Sequence, residues 1–299
     1  MRIRASRSLS LLAAAALSAT GLGAVTGCDG QKDAGDDTAV LAHRARKVAG
    51  AWDESAAAAW RAGYHPMGEV VQLPRGGLRS HADKQAYQDH NFVLRGGIPD
   101  TGPKDGRVTW IEGGSLTRPL TGAVESYQTL AGGRTGGTPH LTVTGAKLGE
   151  MSVVTSRGPA VVPAWLFTLD GYASPLKQAA VIPSPLPRPP IGPAHDVPGY
   201  PLDHLVQIAA GGRSVTVVAL HGACDDGPVV AVLETRGSVV LSGSVKHRKG
   251  DGGLCTKQAR FQQVTVKLAR PVGDRVLIDA HTGQPVPYKP PHGPSPSWS

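Results

Sequence analysis

The most specific chemistry in the chain sits at Cys28. Its thiol follows Val25-Thr26-Gly27 at the end of an apolar run over 9–25, and that run follows Arg2, Arg4 and Arg7. A basic end, a short apolar segment and small residues, in that order, make a secretory signal peptide, because the positive end stays in the cytoplasm while the apolar part enters the translocon. A cysteine directly behind small residues is what lipoprotein signal peptidase accepts. Its sulfur is alkylated by a diacylglyceryl group, and cleavage then leaves the cysteine first in the chain. Residues 1–27 are therefore expected to be a lipoprotein signal peptide and Cys28 the lipidation site. Arg4 and Arg7 are not adjacent, so general secretion rather than the twin-arginine route is expected.

With Cys28 assigned to lipid, two of the three cysteines remain, Cys224 and Cys255. An exported protein meets oxidising conditions, in which an even remainder normally pairs. Both lie in turn-like surroundings, Cys224 ahead of Asp225-Asp226-Gly227-Pro228 and Cys255 behind Gly252-Gly253-Leu254. A disulfide between them would close a span of 31 residues, worth about 3.7 kcal/mol in the chain-entropy account.

Three other groupings invite a catalytic or metal reading. Ser174-Pro175-Leu176-Lys177 has the Ser-x-x-Lys spacing of penicillin-binding proteins and β-lactamases, and His281-Thr282-Gly283 could stand for their Lys-Thr-Gly element. In that chemistry the serine opens a buried helix, so that the lysine one turn on can take its proton. Here the segment runs into a Pro-rich tract, and the sole asparagine, Asn91, is preceded by Asp89-His90, so the Ser-x-Asn element cannot exist. His81, Asp83, Asp89 and His90 could gather two imidazoles and two carboxylates in one loop, donors that suit zinc or another divalent metal. Their spacing fits no strong metal motif. His221 beside Cys224, Asp225 and Asp226 suggests a triad, but the cysteine is better used in a disulfide. No nucleophile elbow, zinc-protease helix, phosphate loop or dinucleotide fingerprint follows a strand. No catalytic residue, metal ligand or cofactor is assigned.

The elements around these residues read as mainly β. A chain of 299 residues has room for two modest domains, since compact domains take about 100–200 residues each. With 39 Gly, 25 Pro and only 18% charged residues, turns and short strands are favoured over long helices. No interior stretch reaches the roughly 18 apolar residues of a spanning helix, which excludes a polytopic membrane protein. Residues 28–37 read as a flexible tether, because 29–37, DGQKDAGDD, cannot bury themselves. Over 38–63, Leu41, Ala45, Val48, Trp52, Ala56 and Ala59 recur at threes and fours, an amphipathic helix expected to dock on a sheet. Asp36, Asp37 and Thr38 offer N-cap chemistry, and Gly63 and Pro66 a stop.

Strands are expected at 70–73, 107–112, 141–144, 151–155 and 160–169, with Trp165, Phe167 and Leu169 on one face. The helix and these strands make a β-rich domain over 38–182. The tract 183–201 holds eight prolines and reads as an interdomain linker. A Pro-rich connection inside one domain is the competing reading. Six strands over 202–287, at 205–209, 214–220, 229–235, 238–246, 263–268 and 275–280, have the spacing of a small β-sandwich. Residues 288–299 read as a disordered tail.

Removing the three arginines of 1–27 leaves 28 basic side chains against 23 acidic ones, a charge of +5. These are scattered and only 5% of residues are aromatic, which is not the clustered basic stripe of a nucleic-acid binder. Two segments, 156–167 (SRGPAVVPAWLF) and 268–280 (LARPVGDRVLIDA, followed by Thr282-Gly283), resemble secreted lipoproteins of high-GC actinomycetes. The likeness extends loosely over roughly residues 38–287. It implies a cell-surface lipoprotein with an extracellular β-rich body and transfers no catalytic residue, because that group has no assigned activity. The expected function is thus a non-enzymatic, lipid-anchored protein on the extracellular face of the cell membrane that binds or organises an envelope component. An extracellular hydrolase with a site built from distant loops is the alternative. A solute-binding lipoprotein would need repeated βα units, which one helix does not supply.

Overall fold

The apolar stripe of the first helix decides where it packs. In the computed structural model, which describes residues 34–100, 102–132, 137–248, 256 and 258–289, α1 (Ala34–Asp53) turns Ala45, Val48, Ala49 and Trp52 inward. The stripe continues on α2 (Ser55–Ala62) with Ala56 and Trp60. The single expected helix is divided at Glu54, whose ψ of −113° is not helical, and it ends at Gly63 as the sequence predicts. Its start lies earlier than expected. Residues 34–37, read as part of the tether, form the first turn, where the positive end of the helix dipole favours Asp36 and Asp37.

The helix covers a sandwich of two three-stranded sheets. One holds β10 (Asp225–Glu234), β11 (Ser238–His247) and β13 (Val276–Asp279); the other holds β12 (Ala259–Lys267), β9 (Ser214–Gly222) and β8 (His204–Ile208). All six strands expected over 202–287 are present. β11 lies between β10 and β13 and is buried on both faces from Ser238 to Gly243, because α1 packs on one side of its sheet and the second sheet on the other. Val48 and Trp52 therefore share a core with Leu205, Val217, Leu241 and Ile278. Tyr288, expected in the disordered tail, belongs to the same core. Residues 290–299 of that tail lie outside the described residues.

The rest of the chain builds a seven-stranded sheet around one long hairpin, β5 (Leu141–Thr155) with β6 (Gly158–Leu169). The other edge of β6 is shared. β3 (Asp105–Trp110) takes Ala160 and Val161, and β7 (Leu176–Ala179) takes 164–167. Short strands complete the sheet: β1 (Val71–Gln72) on β7, β4 (Ser115–Pro119) on β3, and β2 (Phe92–Leu94) on β5. Successive strand residues face opposite sides, and the hairpin buries a different side at each end. Met151, Val153, Ala160 and Val162 pack with Tyr64, Val108 and Trp110. Trp165, Phe167 and Leu169 pack on the other face with α3 (His81–Gln88) and α4 (Ala123–Ala131), through Ala86, Tyr87, Leu130 and Ala131. The expected alternation of Trp165, Phe167 and Leu169 is thus present, whereas neither α3 nor α4 was anticipated. Among the described residues no helix is long and apolar enough to cross a membrane.

The Pro-rich tract is fastened at both ends and in the middle. Ser184 exchanges two hydrogen bonds with Tyr64, at 2.8 and 2.9 Å, and Arg118 donates to the Pro183 carbonyl at 2.8 Å. Gly199, at φ +93°, crosses β11 so closely that a Cβ there would lie 2.2 Å from the Gly243 carbonyl oxygen. The described residues from Ala34 onward form one compact unit. The expected grouping of the helix with 38–182 therefore differs from its packing, since its stripe is matched by the apolar outer face of β10 and β11 beyond the tract.

Candidate functional site

Cys28 and Cys255 lie outside the described residues. Cys224 sits in the two-residue turn that carries the chain from β9 to β10, across the two sheets. Its neighbours are committed to closing that turn. The Gly222 N–H donates to Asp225 Oδ2 at 2.7 Å, and Asp225 Oδ1 is 3.0 Å from His247 Nδ1. His221 turns its Nδ1 to the Gly222 carbonyl at 2.9 Å rather than to a carboxylate.

The other candidate groupings come apart. Ser174 precedes a strand, not a helix; its Oγ accepts the Arg75 N–H at 2.7 Å while Lys177, on β7, donates to the Glu150 carbonyl at 3.2 Å. His81 and His90 are not in one loop but at opposite ends of α3, about 13 Å apart by helical rise. Asp83 accepts the Tyr172 hydroxyl at 2.6 Å and His90 Nδ1 lies 3.0 Å from the Leu130 carbonyl. Among the described residues no three His, Cys, Asp or Glu side chains converge as a metal site.

What the fold does assemble is a buried polar node where α1, the Pro-rich tract and the turn after β13 meet. Arg44 donates from Nε to the Ala280 carbonyl at 2.8 Å and from Nη2 to the Gly192 carbonyl at 2.6 Å. Trp52 donates its indole N–H to the Gly283 carbonyl at 2.8 Å. Asp279, 2% exposed, accepts the His281 and Thr282 N–H groups at 3.2 and 3.3 Å. His281 Nε2 lies 3.0 Å from the Pro198 carbonyl, and its Nδ1 is 3.6 Å from Asp279 Oδ1, too long for a hydrogen bond but close enough for attraction of the imidazolium. Burial works against the charged ring of His281, yet Asp279 and the Pro198 carbonyl outweigh it, and the balance is a pKa above the ordinary value. Burial lowers the pKa of Arg44, with Asp279 opposing.

A second node pins the loop between β12 and β13. Arg275, almost fully buried, pairs with Glu234 at 2.9 Å and donates to the Arg270 and Pro271 carbonyls, while Glu234 accepts the Ala269 N–H at 2.6 Å. A third lies beside the tract. The His65 ring stacks on Trp60 with centroids 4.1 Å apart, and burial, then the Arg118 charge, push its pKa down to about 4 against a backbone hydrogen bond to Trp60. These nodes bind loops to elements through backbone groups, and most of their carbonyl partners leave no trace in a side-chain pattern. Compared with models of protein families, with curated proteins and with solved structures, the chain matches none.

Proposed function

We propose that the protein is a lipoprotein held on the extracellular face of the cell membrane by lipid on Cys28, and that its β-rich body binds or organises an envelope component. The carrying observation is the order of residues before Cys28: three arginines, an apolar run and small residues. The polar nodes suit a binding or scaffolding body, because Arg44, Asp279, Glu234 and Arg275 direct their hydrogen bonds to backbone groups of the fold itself and into the Arg275–Glu234 pair. A hydrolase with a site from distant loops is the weaker reading, since Ser174 and Asp225 are each already engaged by a backbone N–H. Mass spectrometry of the N-terminal peptide from membranes of the native host tests the anchor. Diacylglyceryl-cysteine at Cys28 is the expected result, and an unmodified mature N-terminus contradicts it.

The second part of the reading is a Cys224–Cys255 disulfide. Gly222 pairs with Ala259, and the Ala223 N–H donates to the Gln258 carbonyl at 2.9 Å. The chain leading into Cys224 thus runs beside a residue three positions after Cys255, which supports the pairing. Thiol titration of the denatured, unreduced protein should find no free thiol on these residues; two free thiols would refute the pairing.

A further inference from the structure

The large exposed apolar side chains of the helix and sandwich are not spread over their surface. Among the described residues of 34–62 and 198–289 they are Val40, Tyr200, Val229 and Phe261, at 39, 44, 46 and 65% exposure. They come from four separate segments, and the pairing of the strands brings them to one end. α1 runs antiparallel to β11: Asp53 accepts the Ser238 hydroxyl at 2.9 Å at the start of the strand, while Arg44 donates to Ala280, whose N–H donates to Leu241 three residues on. Val40 is one turn beyond Arg44 toward the helix start. Tyr200 abuts β11 at Gly243, where a Cβ would lie 2.6 Å from the Tyr200 carbonyl oxygen. Val229 pairs with Ser244, Lys246 with Gly227, and Gly227 adjoins the side chain of Gln262, next to Phe261.

The same end carries outward positive charge. Lys246 and Arg260 are exposed, while the two nearby carboxylates are matched, Asp225 by His247 at 3.0 Å and Asp226 by Arg248 at 3.2 Å. Asp36 and Asp37 sit in the first turn of α1, where the roughly half positive charge of the helix N-terminus offsets part of theirs. Exposed aromatic and aliphatic side chains beside Lys246 and Arg260 suit the headgroup boundary of a bilayer, where one part of a side chain is apolar and another wet.

The length of the chain before α1 limits where the anchor can be. Ala34 lies ten residues before Arg44, about 15 Å of helix. The end of β11 at His247 lies six residues past Leu241, about 20 Å of strand. Only five residues, 29–33, separate Cys28 from α1, and fully extended they span about 20 Å. Lipid on Cys28 is therefore within reach of this end. We infer that the end of the sandwich bearing Val40, Tyr200, Val229, Phe261, Lys246 and Arg260 is a docking surface for anionic phospholipid headgroups. This rests on the anchoring of Cys28 for its orientation, but not for its chemistry.

The test therefore uses the chain starting at Asp29, which retains every residue of the three cores and carries no lipid. It is sedimented with phosphatidylcholine vesicles that contain or lack phosphatidylglycerol. Binding to the anionic vesicles alone is expected, and Lys246→Glu or Arg260→Glu should each weaken it roughly fivefold. Phe261→Ser should weaken it further, with the circular dichroism spectrum and Tm unchanged because these side chains lie outside the core. Arg107→Glu, an exposed arginine on β3, should leave binding intact. Equal binding to both vesicle types, no binding to either, or an equal loss with Arg107→Glu would each overturn the inference. An unmodified Cys28 in cells would sink the anchoring proposal and leave these results untouched.

Discussion

The two bodies of the molecule reach their cores by opposite routes. The helix and sandwich join segments far apart in the chain: Trp52 bonds to a carbonyl 231 residues away and Arg44 to one 236 away. The seven-stranded sheet grows around one hairpin whose strands are linked by Ser156 and Arg157, and it takes in distant pieces only at its margins, as where Val71 pairs with Gln178. In the first body every element is plain in the sequence and the assembly is not. In the second the central hairpin is plain in the sequence, but α3, α4 and the short strands β2, β4 and β7 that complete it are hidden. Periodicity reports which face of an element is apolar; it does not report which distant surface that face will cover.

The hardest way to break this comparison is to separate the sandwich from its helix. A fragment over 202–289 lacks Val48, Trp52 and Trp60. Large-to-small losses of this kind cost roughly 3–5 kcal/mol for each tryptophan, against a whole-domain stability of about 5–15 kcal/mol. The fragment should show no cooperative denaturant transition alone and should regain one when a 34–62 peptide is added. Cooperative unfolding without the peptide would make the helix an addition to the sandwich rather than part of it.

A single substitution should act on the same core more mildly. Trp52→Ala removes a fully buried ring and leaves the Gly283 carbonyl without its donor, for a loss of about 4 kcal/mol. Phe167→Ala in the other body should cost about 3–5 kcal/mol. Because the Pro-rich tract is fastened to both bodies, each variant should shift one common transition in urea. Two resolved transitions would show that the bodies unfold separately.

These expectations rest on features that were unevenly legible. Trp52, Val48 and Ala45 announce their helix through spacing, and the six sandwich strands through short β-branched runs set off by Gly. α3 is short and polar and buries only Ala86 and Tyr87, so its period is weak; its one usable mark is the Ser80 cap, which accepts the Asp83 N–H at 2.9 Å. α4 carries a Gly at each end in the sequence, and Gly132 closes it at φ +53°. The tract 183–201 reads as a linker because proline excludes it from a sheet, but its attachment depends on Tyr64, Arg118 and the bare backbones of Gly199 and Gly243. The node around Asp279 and His281 was invisible for a similar reason: its partners are carbonyls of Gly192, Pro198 and Ala280.

The smallest effect contrasts two buried histidines by pH. Folding holds the His65 pKa near 4, below the unfolded value of about 6.5. Its contribution is therefore full above about pH 6.5 and is lost as pH falls toward 4, by roughly 3 kcal/mol at most. His281 is shifted the other way, so its contribution is full below about pH 6.5 and is lost as pH rises through its folded value. Urea midpoints measured across this range should lose their acid-side slope in His65→Phe and their opposite slope in His281→Gln. The same sign of change in both variants would contradict the assignment.

Native-state amide exchange tests the central structural claim, that the helix nearest Cys28 is part of the sandwich core, most directly. If it is, the N–H groups of Val48 to Trp52 exchange only through global unfolding, with the same free energy as those of Val239 to Leu241 on β11. Exchange from this stretch of α1 orders of magnitude faster than from β11, with β11 still protected, would mean that the helix detaches on its own and the account is wrong.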